Sequence, residues 1–141
     1  MPMRTGLGAD DLPELLAGTD LGTLATRRPD DSIMLSPVWW EWRDGAFHVW
    51  VTAETDRKIQ HIRRDPRVTF VVASQVWPYK GFEVRGEAAI SGDDFYGVLR
   101  RTAERFDGPE AAEQMVSTYA PGLVIRIAPG VSRGWAYIDE G

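Results

Sequence analysis

Seven short segments rich in β-branched and aromatic residues restrict this chain to a mainly β fold. Most of them are separated by turn residues, and Asp44-Gly45, between the second and third, is a strong hairpin signal. Strands joined by short turns pair antiparallel, so we expect a β-barrel or highly curved sheet with peripheral helices. The segments are residues 21–27, 32–42, 46–52, 67–74, 81–91, 123–128 and 134–138.

Three features of these segments, namely a proline, a glycine and an apolar run, predict local details of the sheet. Pro37 cannot donate a hydrogen bond to a neighbouring strand, so we expect it on an edge strand or at a bulge. Gly86 is a candidate bulge inside the fifth segment. The apolar run of residues 67–74 is nearly continuous, which predicts a strand covered on both faces.

Four segments follow the helical period instead, namely residues 11–17, 55–64, 95–106 and 109–119. We expect Thr55 to cap the second helix and Ser91-Gly-Asp-Asp94 to open the third as a loose capping box. Gly108-Pro109 ends the third helix and starts the fourth. The side chains predicted to face inward are Ile59, Ile62, Phe95, Val98, Leu99, Ala103, Phe106, Ala112, Met115, Val116 and Tyr119.

Length and composition favour one domain over residues 1–141 and argue against several functional classes. The net charge of −5 argues against a general nucleic-acid binder. With no cysteine, the chain has no disulfide, thiolate zinc site or cysteine nucleophile. Residues 1–10 lack the apolar core of a signal peptide, so we expect a cytoplasmic protein. No run of 18 apolar residues occurs, so we expect no membrane-spanning helix. His48 and His61 have no second ligand at a suitable spacing, so no metal site is expected.

Four stretches resemble the pyridoxamine 5'-phosphate oxidase-like split β-barrel superfamily of flavin-binding proteins. They read LGTLATR, LSPV, KIQHIRRDPRVTFVV and WPYKGFEVRG, and the likeness extends over about residues 10–138. Within the superfamily the chain is most similar to the branch that uses the deazaflavin coenzyme F420. The resemblance implies an antiparallel FMN-binding split barrel. It also implies a homodimer whose two cofactor sites lie at the interface, each ring resting on one subunit and closed over by the other.

The resemblance also implies where the cofactor phosphate binds. Lys58 matches the family lysine that contacts this phosphate, and a cation beside the free N–H groups of a helix start suits an anion. Arg57 is a candidate second cation, and Thr52 and the N–H of Ala53 are candidate further contacts. Asp56 departs from the family, because relatives often carry a basic residue there. The plainer alternative for Lys58 is a solvated lysine on an exposed helix face, and for Thr52 an ordinary strand residue.

The same resemblance implies the contacts of the cofactor ring. Ser36, Pro37 and Val38 match the strand backbone laid along the ring edge, and Trp77, Pro78 and Tyr79 match a segment that approaches from another strand pair. Pro37 has the alternative of an ordinary edge-strand proline, and Trp77 that of a core or interface tryptophan. Other tryptophans are expected in the core or a dimer interface, with one face shared by Trp40 and Trp42, and Trp135 is a candidate cap over the partner's ring. The tryptophans assigned to the core or interface are Trp39, Trp40, Trp42 and Trp50.

These features together predict an F420-dependent oxidoreductase that transfers a hydride between reduced deazaflavin and a small organic acceptor. The alternatives are an FMN-dependent oxidoreductase of the same fold and a non-enzymatic flavin or deazaflavin carrier or sensor. The long anionic tail of the deazaflavin would need a basic groove, which could be lined by Arg57, Arg63, Arg64 and Arg67, unless these form only a solvated basic patch. Vitamin B6 oxidase activity is not expected, because residues 32–36 read SIMLS where those enzymes carry R-x-V-L-L-K. The residues do not identify the acceptor.

Overall fold

The computed structural model of the chain describes residues 3–4 and 6–137, which contain nine strands and four helices. The strands are β1 (Met3–Arg4), β2 (Gly22–Arg27), β3 (Ile33–Val38), β4 (Glu41–Arg43), β5 (Ala46–Val51), β6 (Arg67–Ala73), β7 (Lys80–Ser91), β8 (Leu123–Ile127) and β9 (Val131–Tyr137). The helices are α1 (Asp11–Ala17), α2 (Arg57–Arg64), α3 (Phe95–Asp107) and α4 (Pro109–Thr118). None of these helices is long and apolar enough to span a membrane.

The described strands pair antiparallel in the order β3-β2-β6-β7-β8-β5-β4, with β9 beside β7 and β1 beside β9. The long strand β7 belongs to both parts of this curved sheet. Its residues 81–87 pair with β6, residues 80–85 pair with β9, and residues 88–91 pair with β8. The predicted mainly β, antiparallel architecture with peripheral helices is therefore confirmed.

Several strand predictions are confirmed, whereas those for residues 32–42 and for Gly86 need correction. Pro37 lies on β3, an edge of the sheet, and the hairpin turn has left-handed φ angles of 54° at Asp44 and 72° at Gly45. The segment 32–42 is two strands rather than one, because the chain leaves the sheet at residues 39–40. Gly86 is not a bulge, since it pairs with Val68 in a continuous register. A Cβ there would lie 2.4 Å from the carbonyl oxygen of Ala128, so the glycine allows two backbones to approach closely.

The helix ends also differ in part from the prediction. Asp56, not Thr55, caps α2, because its carboxylate accepts a hydrogen bond from the Lys58 N–H at 2.9 Å. The capping box before α3 is wrong, since the Asp94 side chain makes no cap hydrogen bond. Tyr119, predicted to face inward, follows the end of α4 and is 36% exposed. Of the last predicted strand, Ile138 lies outside the described residues.

One main core fills the inside of the curved sheet, and a smaller one lies under α3. The main core includes Leu24, Trp40, Phe47, Phe70, Val84 and Ile125, together with the two inward isoleucines of α2. On β6 the residues Val68, Phe70 and Val72 are buried, whereas the alternate residues Thr69 and Val71 are only half-buried. The prediction that both faces of this strand are covered is therefore wrong for the described chain, and one face of the sheet stays open.

Candidate functional site

A cavity of about 350 Å³ lies where β2 and α2 begin, β3 and β5 end, and α4 approaches. Most of its wall is apolar, and its charged groups come from the first turn of α2. This combination of an apolar wall and a few polar groups is typical of small-molecule sites, and the volume lies within their usual range. The lining residues are Leu21, Pro37, Val38, Trp39, Val49, Trp50, Val51, Asp56, Lys58 and Met115.

Two tryptophans in this wall are held by contacts behind them. Trp39 stacks on Phe106 of α3 with the ring centroids 5.6 Å apart and the planes 9° from parallel. Trp50 donates its indole N–H to the buried Thr102 hydroxyl at 2.9 Å. The two indoles meet edge to face at 6.4 Å. The aromatic part of the wall is therefore fixed by α3 before any ligand binds.

The polar end of the cavity is formed by Lys58 and Asp56. The Lys58 side chain is 17% exposed, and its Nζ lies 3.2 Å from the Asp56 carboxylate. Asp56 also caps the helix through the Lys58 N–H. A lysine at a helix start favours an anion, but here the capping carboxylate already neutralises part of that charge.

The structure brings only some of the predicted cofactor residues together. Pro37, Val38 and Lys58 line the cavity. Ser36 precedes them on β3 without lining the cavity, and Thr52 and Ala53 are exposed between β5 and α2. Their predicted contacts with a cofactor remain predictions.

Trp77, Pro78 and Tyr79 lie outside this cavity, in the loop between β6 and β7. Trp77 and Tyr79 are 43% and 41% exposed, and their rings meet edge to face at 5.5 Å. Gln75, in the same loop, donates its N–H to the Asp20 carboxylate at 3.1 Å, which anchors the loop beside the start of β2. The loop is thus at the same end of the sheet as the cavity but does not close it within one chain.

Trp135 also lies away from the cavity, on β9 opposite Gly81. The Arg133 guanidinium lies 4.6 Å from the centre of its ring. The expectation that Trp135 caps a partner's ring is not tested by a single chain.

The four arginines expected in one basic groove are divided between two environments. Arg57 and Arg64 line a second cavity of about 250 Å³, whereas Arg63 pairs with Glu54 at 3.3 Å and Arg67 pairs with Asp65 at 2.8 Å. The second cavity, called here the basic pocket, is lined by Arg28, Pro29, Arg57, Gln60, His61 and Arg64. Of the two alternatives given for these four arginines, a shared groove is not found in the described chain, and Arg28, which was not among them, lines the basic pocket.

The two histidines are buried in separate places. Burial, followed by the charge of Arg43, holds the pKa of His48 below its usual value, and the Nδ1 of this residue has no hydrogen-bond partner among the described atoms. The Nδ1 of His61 lies 2.9 Å from the Thr26 hydroxyl. Within the described residues no three histidine, aspartate or glutamate side chains lie together as a metal site would require.

Several wall residues were absent from the predicted site. Trp39 and Trp50 were assigned only to a core or interface, Met115 only to the inward face of its helix, and Leu21 only to the start of the first strand. Period-2 alternation shows which face of a strand a side chain occupies, but not which helix covers that face. Met115 belongs to a helix more than fifty residues beyond α2, so no local signal in the sequence could have indicated it.

The sequence profile of the family described as pyridoxamine 5'-phosphate oxidase matches residues 9–131. No curated protein is significantly similar in sequence. Similar solved structures include a conserved hypothetical protein of Mycobacterium tuberculosis, with a TM-score of 0.79 and 23% identity over 100% of this chain and 98% of that one. A FAD-binding protein of Mesorhizobium loti has a TM-score of 0.68 and 20% identity over 99% of both chains.

An F420 reductase is also similar, with a TM-score of 0.68 and 25% identity over 84% of this chain and 93% of that one. The likeness to these structures confirms the split-barrel fold that the resemblance implied.

Proposed function

Because this chain belongs to the pyridoxamine 5'-phosphate oxidase family, we propose that it is an oxidoreductase with a flavin-type cofactor, in the first place coenzyme F420. The cofactor binds in the apolar cavity at the start of α2. The observation that carries the proposal is the position of Lys58, a mostly buried cation at a helix start that opens onto a cavity walled by two tryptophans. Similarity to an F420 reductase supports the choice of deazaflavin.

The residues present fit such a cofactor. A flat aromatic ring suits a wall of Val38, Trp39 and Trp50, and Pro37 lies on an edge strand whose outer backbone is unpaired in the described chain. A phosphate suits Lys58 and the first N–H groups of α2, with Asp56 as a competing anion.

The mechanism assigned to the chain itself is binding, orientation and exclusion of water. Reduced deazaflavin, when bound, would supply a hydride to a small organic acceptor and would itself become oxidised. Trp39 and Trp50, fixed from behind by Phe106 and Thr102, keep water from one wall of the cavity. Lys58 holds the anionic end, and so sets where the ring can lie. No acid or base from the chain is required by this chemistry.

We also propose a homodimer formed through the open face of the sheet. Cross-strand register places Leu35, Ala25, Thr69, Arg85 and Val131 in one row across β3, β2, β6, β7 and β9. Leu35 is 65% exposed and Val131 is 57% exposed. Leaving these two apolar side chains in water is unfavourable in free energy, and covering them would favour an interface. In the homodimer, the exposed loop of residues 77–79 approaches the partner's cavity and closes the site that one chain leaves open.

The direct test is titration of the protein with coenzyme F420 and with FMN, following tryptophan fluorescence. Trp39 and Trp50 line the cavity, so a bound ring should quench their emission. We expect Lys58→Gln to weaken cofactor binding at least tenfold, as loss of a charged hydrogen bond of about 1.5–3 kcal/mol requires. Lys80→Gln is the matched control, because this second lysine pairs with Asp11 outside the cavity.

The outcomes separate the candidate functions. Preferred binding of FMN would make the chain an FMN oxidoreductase of the same fold. Cofactor binding without turnover of any acceptor would indicate a carrier or sensor. Failure of both cofactors to bind, or equal binding by Lys58→Gln and Lys80→Gln, would refute the proposed site.

A further inference from the structure

The basic pocket lies on the side of α2 away from the main core. Arg57, Gln60, His61 and Arg64 follow the i, i+3, i+4, i+7 spacing that puts side chains on one helix face. Arg28 and Pro29, from the turn between β2 and β3, complete the wall. Lys58 and Asp56 line the apolar cavity instead, so the two cavities flank the same first turn of α2.

The arginines of this pocket form no direct ion pair with a described carboxylate, although Arg28 interacts with the charge of Asp30, and His61 with that of Asp56, over a longer distance. Arg28, Arg57 and Arg64 form no ion pair with any described carboxylate, and no acidic side chain lines the pocket. Their neighbour Arg63 does have such a partner, in Glu54. Three unpaired guanidinium groups around one cavity are notable in a chain whose net charge is −5.

Two of these guanidinium groups are held in place by backbone carbonyls. Arg64 donates to the carbonyl oxygens of Arg27 and Arg28 at 3.2 and 2.6 Å, and Arg28 donates to that of Ile33 at 2.8 Å. Each guanidinium has five N–H donors, so both keep donors free after these contacts. The Arg57 guanidinium, on the first turn of α2, makes no hydrogen bond or ion pair to a described residue and is therefore free to close on a ligand.

His61 lies among the charged groups of the pocket. Burial, and then the charges of Arg28, Arg64 and Arg57, hold the pKa of its imidazole below the usual value, against the opposing charge of Asp56. A bound anion would offset these charges and raise that pKa.

We propose that the basic pocket is a binding site for a carboxylate or phosphate group, separate from the apolar cavity. Guanidinium groups bind both oxyanions through paired N–H donors, and preorganised ones lose less entropy in doing so. The group could belong to a free small anion or to a ligand whose other end occupies the apolar cavity. The site does not require the flavin proposal to be correct.

The experiment is an NMR titration of the protein, without flavin, with inorganic phosphate and with citrate at constant ionic strength. We expect saturable shifts confined to the resonances of Arg28, Arg57, His61 and Arg64, and a higher His61 pKa at saturation. Arg57→Gln should weaken binding of the anion at least tenfold. Arg63→Gln removes the same charge from the same helix and should bind as the wild type does. Circular dichroism verifies that both variants fold.

The proposal is overturned if neither anion gives a saturable shift, or if Arg57→Gln and Arg63→Gln bind equally. A second titration identifies the source of the anion. This titration uses coenzyme F420 and a deazaflavin that lacks the phosphate and tail. If Arg57→Gln weakens binding of coenzyme F420 but not of the shortened deazaflavin, the pocket serves the ligand of the apolar cavity. If the two deazaflavins bind Arg57→Gln as tightly as they bind the wild type, while Arg57→Gln no longer binds phosphate, the pocket binds a free anion. Because the first titration contains no flavin, it can fail while the cofactor titration succeeds.

Discussion

Asp56 has two roles that oppose each other at the level of a single residue. Its carboxylate caps α2 and also lies 3.2 Å from the Lys58 ammonium. The cap stabilises the helix, whereas the ion pair uses charge that the lysine would otherwise present to an anionic ligand.

Asp56→Asn should separate these roles, because asparagine caps a helix as well as aspartate does but carries no charge. We expect binding of a phosphate-bearing flavin to tighten about two- to fivefold, the usual range for one partly exposed ion pair. Fluorescence titration with FMN measures this change, with Asp93→Asn as a control in the exposed turn before α3. Weaker binding by Asp56→Asn would mean that the carboxylate itself contacts the ligand.

Glu41 is the buried charge on which stability at low pH should depend. It is 4% exposed and accepts hydrogen bonds from Arg101 at 2.8 and 2.9 Å and from Arg43 at 3.0 Å. Burial opposes its ionisation, but these hydrogen bonds outweigh burial and hold the pKa of Glu41 below its usual value. The ionised carboxylate therefore stabilises the fold fully at pH values above the pKa of Glu41 in the unfolded protein. This stabilisation is lost as the pH falls through the lower pKa of Glu41 in the folded protein.

Glu41→Gln should cost about 1.5–3 kcal/mol of unfolding free energy at pH 7, the range for hydrogen bonds to charged groups. The loss of stability between pH 5 and pH 3 should also be less steep than in the wild type. Urea unfolding across this range measures both effects. The Glu54 carboxylate is exposed, so Glu54→Gln should leave the dependence of unfolding free energy on pH almost unchanged. If Glu41→Gln lost stability between pH 5 and pH 3 as steeply as the wild type does, Glu41 would not be the group responsible.

At the scale of elements, the break between β3 and β4 is held by a half-buried cation of α3. Arg105 donates to the carbonyl oxygens of Trp40 and Gly18, and its guanidinium lies 4.6 Å from the Trp40 ring centre. Burial lowers the pKa of this guanidinium. The contact ties α3 to the turn at residues 39–40, where the chain changes from an edge strand to the next part of the sheet.

Arg105→Met should therefore destabilise the protein by about 1.5–3 kcal/mol, because the two carbonyls lose a charged donor. It should also weaken cofactor binding, since Trp39 and its stacking partner Phe106 adjoin this contact. Thermal unfolding and the flavin titration measure the two effects. Arg100→Met is the matched control on the same helix, where the arginine pairs with Glu113 at the surface. Equal stability of the two variants would show that Arg105 does not hold the break.

At the scale of the whole molecule, the open sheet face determines what one chain can do alone. The barrel interior is filled, whereas the outer face of the sheet leaves Leu35 of β3 and Val131 of β9 exposed. Pairing with a second copy would cover this face and bring a second loop of residues 77–79 to each cavity.

Leu35→Glu should shift the proposed dimer to monomer, because it places a charge at the most exposed apolar position of β3. Sedimentation velocity measures the change, and circular dichroism checks that the fold is retained. Ser117→Glu adds the same charge on α4, away from this face, and should leave the dimer intact. A wild-type protein that sediments as a monomer would refute the homodimer.

The sequence by itself determined the local structure. Period-2 alternation located the strands, Asp44-Gly45 gave the hairpin, and the spacing of Ile59 and Ile62 gave the inward face of α2. These signals are local, since they depend on backbone geometry and on which residues avoid water. The resemblance of the motifs extended them to the split-barrel fold, and it put Lys58 beside a cavity that the structure then described.

Only the tertiary structure decided which side chains share a cavity. Met115 joins Lys58 through the packing of α4, and Arg28 joins Arg57 through the turn between β2 and β3. It also decided that Asp56 neutralises the predicted phosphate lysine, while Arg63 and Arg67 are paired elsewhere. The physical reason is that a cavity or an ion pair depends on positions distant in the chain, and these are fixed by strand register and helix packing rather than by local preference.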